Sequence, residues 1–204
     1  MRTRLLLALA VLVMAAGCTV TSAGTPRPAS TEATSDDPAG SEGLPSDGAP
    51  KVEDPLDVSH FEQNPCDALT PEDAKELNVP VTGEQGGDAF GETCNWRNSQ
   101  TRGYLSVSFF SGDPRGLSSV YREAEGVGWP YFEPVDDIEG HPAAAFSTSE
   151  AKPTITCVVV VGVTDQLVFT THVSLSDANI DKVDPCEMAA KAAGMMMRTM
   201  QEAA

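Results

Sequence analysis

Hydrophobic positions are spread very unevenly along this chain. An unbroken apolar run of 12 residues, Leu5 to Ala16, follows Arg2 and Arg4. Residues 19–58 then hold only isolated aliphatics such as Leu44 and Leu56, and no aromatic residue. From about Phe61 onward, apolar and polar positions alternate with the periods of folded structure. Thr70-Pro71-Glu72-Asp73 predicts the start of a short helix through Leu77, stopped by Asn78 and Pro80. Tyr104 to Phe109 alternates apolar with small polar residues and reads as a half-buried strand. Leu117 to Glu125 predicts a helix with Val120, Tyr121 and Ala124 on one face. Strands are expected over 143–146, 155–163 and 167–173, with a hairpin at Gly162 to Gln166 joining the last two. The run Val158-Val159-Val160-Val161 is apolar on both faces, which suits a central strand. Pro185 to about Gln201 predicts the longest helix. Its buried stripe is expected to be Met188, Ala192, Met195, Met196 and Thr199, with Glu187, Lys191, Gly194, Arg198 and Gln201 opposite. The expected class is α+β, a single antiparallel or mixed sheet with helices packed on one side.

The first 17 residues read as an export signal: a basic start, an apolar core and small residues before a cut site. Twelve apolar residues are too few for a membrane-spanning helix, which needs about 20. The cut would fall before Cys18, and Ala15-Ala16-Gly17-Cys18 resembles the bacterial lipobox, with Ala15 where Leu is usual. That resemblance implies diacylglycerol on the Cys18 thiol. The plainer alternative is an ordinary signal peptide that happens to contain a cysteine. Residues 18–59, rich in Ser, Thr, Pro, Gly and Asp, cannot bury enough apolar surface to offset their ordering entropy, so a disordered tether is expected. The organisation expected is then signal peptide 1–17, tether 18–59 and globular domain 60–204, on the extracytoplasmic face of a cell membrane.

Charge narrows the partners. The formal net charge is −17, and it becomes −19 when the two positive charges of residues 1–17 are removed. So acidic a surface repels nucleic-acid phosphates and anionic head groups. No nucleic-acid partner is expected. The expected partners are the membrane, through lipid on Cys18, and an envelope protein, lipid or cell-wall ligand.

Four further cysteines, Cys66, Cys94, Cys157 and Cys186, suit two disulfides in an exported protein. No C-x-x-C pair is present to suggest zinc. Asn64-Pro65-Cys66-Asp67 and Asp184-Pro185-Cys186-Glu187 share one design: a capping residue, proline at the first helical position, cysteine, then an acid. Cys94 and Cys157 sit in strand-like runs. The separations, 28 residues for 66 to 94 and 29 for 157 to 186, suggest those two pairings. The other two connectivities remain open on sequence alone.

No phosphate-binding loop, dinucleotide fingerprint, zinc-protease motif, nucleophile elbow or calcium loop is present, and no cofactor, metal or catalytic residue is expected. His60, His141 and His172 are isolated in sequence. Asp136, Asp137 and Glu139 form an acidic loop best read as solvated. The most suggestive segment is Val127-Gly128-Trp129-Pro130-Tyr131-Phe132, expected to be a loop. There Trp129, Tyr131 and Phe132 would either anchor a partner or fold back to cap the sheet.

The chain resembles an uncharacterised family of actinobacterial lipoproteins, domain of unknown function 3558, over about 61–201. The resemblance is carried by Pro65-Cys66-Asp67 with Leu69-Thr70-Pro71-Glu72-Asp73-Ala74, and by Cys94-x-Trp96. It continues through Ile138-x-Gly140-x-Pro142-Ala143, Cys157-x-Val159-x-Val161 with Gln166-Leu167-Val168, and Pro185-Cys186-Glu187 with Ala189. It implies a lipoprotein with two disulfides and brings no activity or ligand. The function expected is a non-catalytic binding or accessory module of the cell envelope. The alternatives are a hydrolase with a non-sequential site and a structural surface lipoprotein without specific ligand.

Overall fold

The computed structural model describes residues 43–88 and 91–204. The strands are β1 (Glu84–Asp88), β2 (Gly91–Arg97), β3 (Tyr104–Phe110), β4 (Tyr131–Ile138), β5 (His141–Ser147), β6 (Thr156–Gly162) and β7 (Val168–Ser174). They form one antiparallel sheet in the order β1-β2-β3-β7-β6-β5-β4. Two meanders, β1 to β3 and β4 to β7, therefore meet where β3 pairs with β7, from Tyr104↔Ser174 to Phe110↔Val168. The hairpin between β6 and β7 forms as expected, and β6 has strand neighbours on both sides.

The helices are α1 (Ser59–Gln63), α2 (Pro71–Glu76), α3 (Leu117–Glu123) and α4 (Pro185–Ala203), with a 3₁₀ turn at Pro65–Ala68. Trp96, Phe109, Val159, Val161 and Phe169 of one sheet face form the main core with Phe61, Ala68, Ala74 and the buried side of α4. Most helical mass thus lies on one face. The exception is α3, whose Leu117 joins Ala144, Val160 and Val168 in a smaller core on the opposite face.

Both disulfides lie on the α4 side. Cys66–Cys94 joins the 3₁₀ turn to β2, and Cys157–Cys186 joins β6 to the first turn of α4. Each closes a loop that the chain-entropy account values at about 3–4 kcal/mol. The two similar helix-start sequences behave differently. Asp184 caps α4, its carboxylate accepting from the backbone N–H groups of Cys186 and Glu187 at 2.7 and 3.2 Å. The Asn64 amide instead donates to the His60 carbonyl at 3.0 Å and closes α1. A long helix cannot follow Cys66, because Thr70 precedes Pro71 and is forced extended at φ −70°, ψ 156°.

Three expectations need correction. First, residues 43–58 were assigned to a disordered tether, yet they lie against the sheet domain, with Ala49, Val52 and Val58 buried. Their backbone is tied down by the domain: Ser46 N–H donates to Ser118 Oγ, Val52 N–H to Asp165 Oδ1 and Leu56 N–H to the Val163 carbonyl. Low apolar content was misleading because few contacts suffice when fixed acceptors are waiting. Residues 1–42, with the signal, Cys18 and the rest of the tether, lie outside the described residues. Second, the buried side of α4 is broader than the expected stripe, comprising Ala189, Ala192, Ala193 and Met195 to Met197, together with Met200. Gly194, expected outside, is buried because Ile138, the last residue of β4, and Glu139 after it cover it. Third, Tyr131 and Phe132 are not in a loop but begin β4, an edge strand that tolerates Pro134 because one side has no strand partner among the described residues.

Candidate functional site

Successive side chains of a strand point to opposite faces, so the face away from α4 carries a defined set. It comprises Ser106, Ser108 and Phe110 of β3, Val168, Thr170 and His172 of β7, Val158 and Val160 of β6, Ala144 and Phe146 of β5, and Phe132 of β4. Among the described residues, only one end of this face is roofed. Residues 43–58 and α3 cover Ala144 and Val160, and the approach is so close that a Cβ on Gly162 would meet Leu117 and Val52 at 2.9 and 3.0 Å.

Beyond that roof a groove of about 390 Å³ lies open. Phe110, Val168, Thr170 and Phe146 line it from the sheet, and Ser119, Val120 and Glu123 line it from α3. Asp113, on the loop before α3, and Trp129 complete its walls. The volume lies within the range of small-molecule pockets, and mostly apolar walls with a few polar groups are their usual composition. A smaller hollow of about 230 Å³ continues past Phe146 to Ser147, Ser149, Thr156 and His172.

Trp129 owes its position to the segment before it. Residues Ala124–Gly128 form a π turn, and Gly128 at φ 70° reverses the chain in a conformation that favours glycine. The indole then stacks on Phe146, with ring centroids 4.4 Å apart and planes 24° from parallel. Phe132 lies 6.3 Å from the indole and receives Tyr121 edge-on at 5.0 Å. The three aromatics singled out from sequence are therefore divided. Trp129 and Phe132 join the open face, whereas Tyr131 packs against the main core on the α4 side. Burial there and the Tyr131 hydrogen bond to Glu133, 2.8 Å long, push the phenol up to about 12.

Sequence reasoning missed Phe110, Phe146 and Val168 as site residues. A signal was present in Phe109-Phe110: two consecutive aromatics in a strand must face opposite ways, so one lay outside the main core. The acids were harder to find. Asp113 lies on a loop, its carboxylate accepting from Arg115 Nε at 2.7 Å, and the Arg115 guanidinium holds it below the usual carboxylate range. Glu123 is an exposed residue of α3 that borders the groove only because α3 lies across this face.

The histidines are scattered. His60 pairs with Asp67 at 2.9 Å on the surface, and buried His141 places Nδ1 2.9 Å from the Gly162 carbonyl. His172 lies on the open face, edge-on to Tyr104 at 5.5 Å, and burial lowers its basicity. The Tyr104 hydroxyl donates to Asn95 Oδ1 at 2.6 Å, and the Arg97 guanidinium rests 4.7 Å from its ring centre. Asp136 and Asp137 lie in β4, and Glu139 is paired with Arg198. Among the described residues no three His, Cys, Asp or Glu side chains converge as a metal would require. No described helix is long and apolar enough to cross a membrane.

Over residues 13–199 the chain matches the family described as Protein of unknown function (DUF3558). No curated protein and no solved structure matches it.

Proposed function

We propose, from the premise that the chain belongs to the DUF3558 family of proteins of unknown function, that it is a lipid-anchored binding module of the cell envelope whose ligand site is the groove beside Trp129. The anchor rests on the apolar run Leu5 to Ala16 ending at Ala15-Ala16-Gly17-Cys18, and two or three acyl chains on Cys18 would hold the protein stably on a membrane. Residues 19–42 would set its distance from that membrane.

The observation that carries the binding role is a groove of about 390 Å³ walled by Phe110, Val120, Trp129, Phe146 and Val168, on a sheet face that the described residues cover at only one end. Apolar walls left open to water in a domain with two disulfides favour insertion of an apolar group, because water is released from both surfaces.

The anchor is tested by mass spectrometry of the membrane-extracted protein: an acylated peptide beginning at Cys18 supports it, and an unmodified terminus or a cut elsewhere removes it. The groove is tested with N-phenyl-1-naphthylamine, a neutral apolar fluorophore. Its emission should rise on binding, and Trp129→Ala should weaken binding at least about fivefold while shifting Tm by no more than about 3 °C. Equal binding by the two proteins would remove the groove from the account.

A further inference from the structure

The groove is apolar along its floor and acidic at its rim, and that asymmetry specifies a ligand. Among the described residues, Asp113 and Glu123 are the only charged side chains in its lining, which contains no Lys, Arg or His. Arg115, on the loop before α3, has its guanidinium ion-paired with Asp113, and the charges of Asp47 and Glu123 raise its basicity further. Asp113 is thus ion-paired, and Glu123 is the other carboxylate of the lining. Arg122, next to Glu123 on α3, is exposed and lies outside the lining. Phe110, Phe146 and Trp129 supply aromatic rings to the same lining, and the face of an aromatic ring attracts a cation and not an anion.

We propose that the groove takes an amphipathic organic cation: an amine or quaternary ammonium group beside Glu123, carrying an apolar chain or ring that lies against Trp129 and Phe146. This rests on the groove being the ligand site and adds the charge of the ligand. Charge complementarity selects the cation. A carboxylate or phosphate at the same place would meet Asp113 and Glu123 with no cationic side chain in the lining to receive it, and with only the neutral donors of Ser119, Thr170 and Trp129. The size limits the occupant to a small molecule, since about 390 Å³ would not house a folded segment.

Three probes of one chain length separate the charge from the apolar contact: octyltrimethylammonium, 1-octanol and octanoate. Trp96 is fully buried, so Trp96→Phe leaves Trp129 as the sole tryptophan and a local reporter. Calorimetry on the unaltered protein supplies the same constants should that variant fold poorly. The ammonium probe should bind about tenfold or more tighter than octanoate at low salt, with octanol between them. Glu123→Gln should remove several-fold of the ammonium affinity and leave octanol unchanged. Glu202→Gln, the same change of charge at the end of α4, should leave all three unchanged. If the three probes bind alike, or if Glu202→Gln weakens the ammonium probe as much as Glu123→Gln does, the cation assignment is overturned while the groove stands as an apolar site. If none quenches Trp129 or gives heat, the groove reading falls with it.

Discussion

Asp184 receives two backbone N–H groups at the start of α4, and the adjacent Cys186 is tied to β6. Losing that cap should cost about 1 kcal/mol in Asp184→Ala, measured by urea unfolding. The disulfide should keep the loss from spreading along the helix. His172 gives a pH signature at the same scale. Burial holds its folded basicity below that of the unfolded chain, so the unfolded state takes up the proton first as pH falls. The stability it contributes is complete above the unfolded value of about 6.5 and is lost as pH falls through the lower folded value. His172→Gln should therefore narrow the loss of Tm between pH 7 and pH 5. An identical loss in both proteins would show that the imidazole does not titrate with folding. Tyr131 has the opposite sign. Its phenol is raised, so its share of stability is complete below about pH 10 and disappears toward pH 12.

At the scale of elements, α4 and residues 43–58 matter most. Met196 and Met200 are wholly buried between α4 and the sheet, and Met196→Ala should cost about 2–5 kcal/mol through the cavity it leaves. Residues 43–58 make contacts across the domain, so a protein beginning at residue 59 should be less stable than one beginning at residue 43. Equal urea midpoints would show those contacts to be energetically idle. The elements most legible in the sequence were those with strong periodicity: β3, β6, β7 and α4, together with Thr70 as the cap of α2. β1 was not legible, since Glu84-Gln85-Gly86-Gly87-Asp88 has no strand-forming residue and gains its conformation only by pairing with β2. β4 was hidden by Pro134 and its acids, which an edge strand accommodates and a central one would not. The packed part of the expected tether was hidden because its hydrogen-bond acceptors, Asp165 and Val163, lie more than a hundred residues away in the chain. The groove was half legible. Trp129 stood out by composition, but its partners Phe110, Phe146 and Val168 come from three separate strands that only the topology brings together.

Across the whole molecule, the two faces of the sheet have different work. One is sealed by α4, the short helices and both disulfides, and gives the domain its stability. The other is roofed by the described residues at one end only, which leaves aromatic walls beside an open groove. A domain this acidic should repel anionic head groups, so binding to anionic vesicles should be negligible for the unlipidated protein and should depend on acylated Cys18 in the lipidated one. Sedimentation with anionic and zwitterionic vesicles reads this directly, and strong binding of the unlipidated protein to anionic vesicles would contradict it.

The central claim is that the open sheet face, and not the α4 side, receives a ligand. The most direct measurement is a two-dimensional NMR titration of the domain with octyltrimethylammonium. The account predicts shifts concentrated at the Trp129 indole N–H, at the backbone amides of Phe110, Phe146, Val168 and Thr170, and along α3, with Met196 and Met200 unmoved. Shifts centred on α4, or no saturable shift at any residue of the open face, would contradict it.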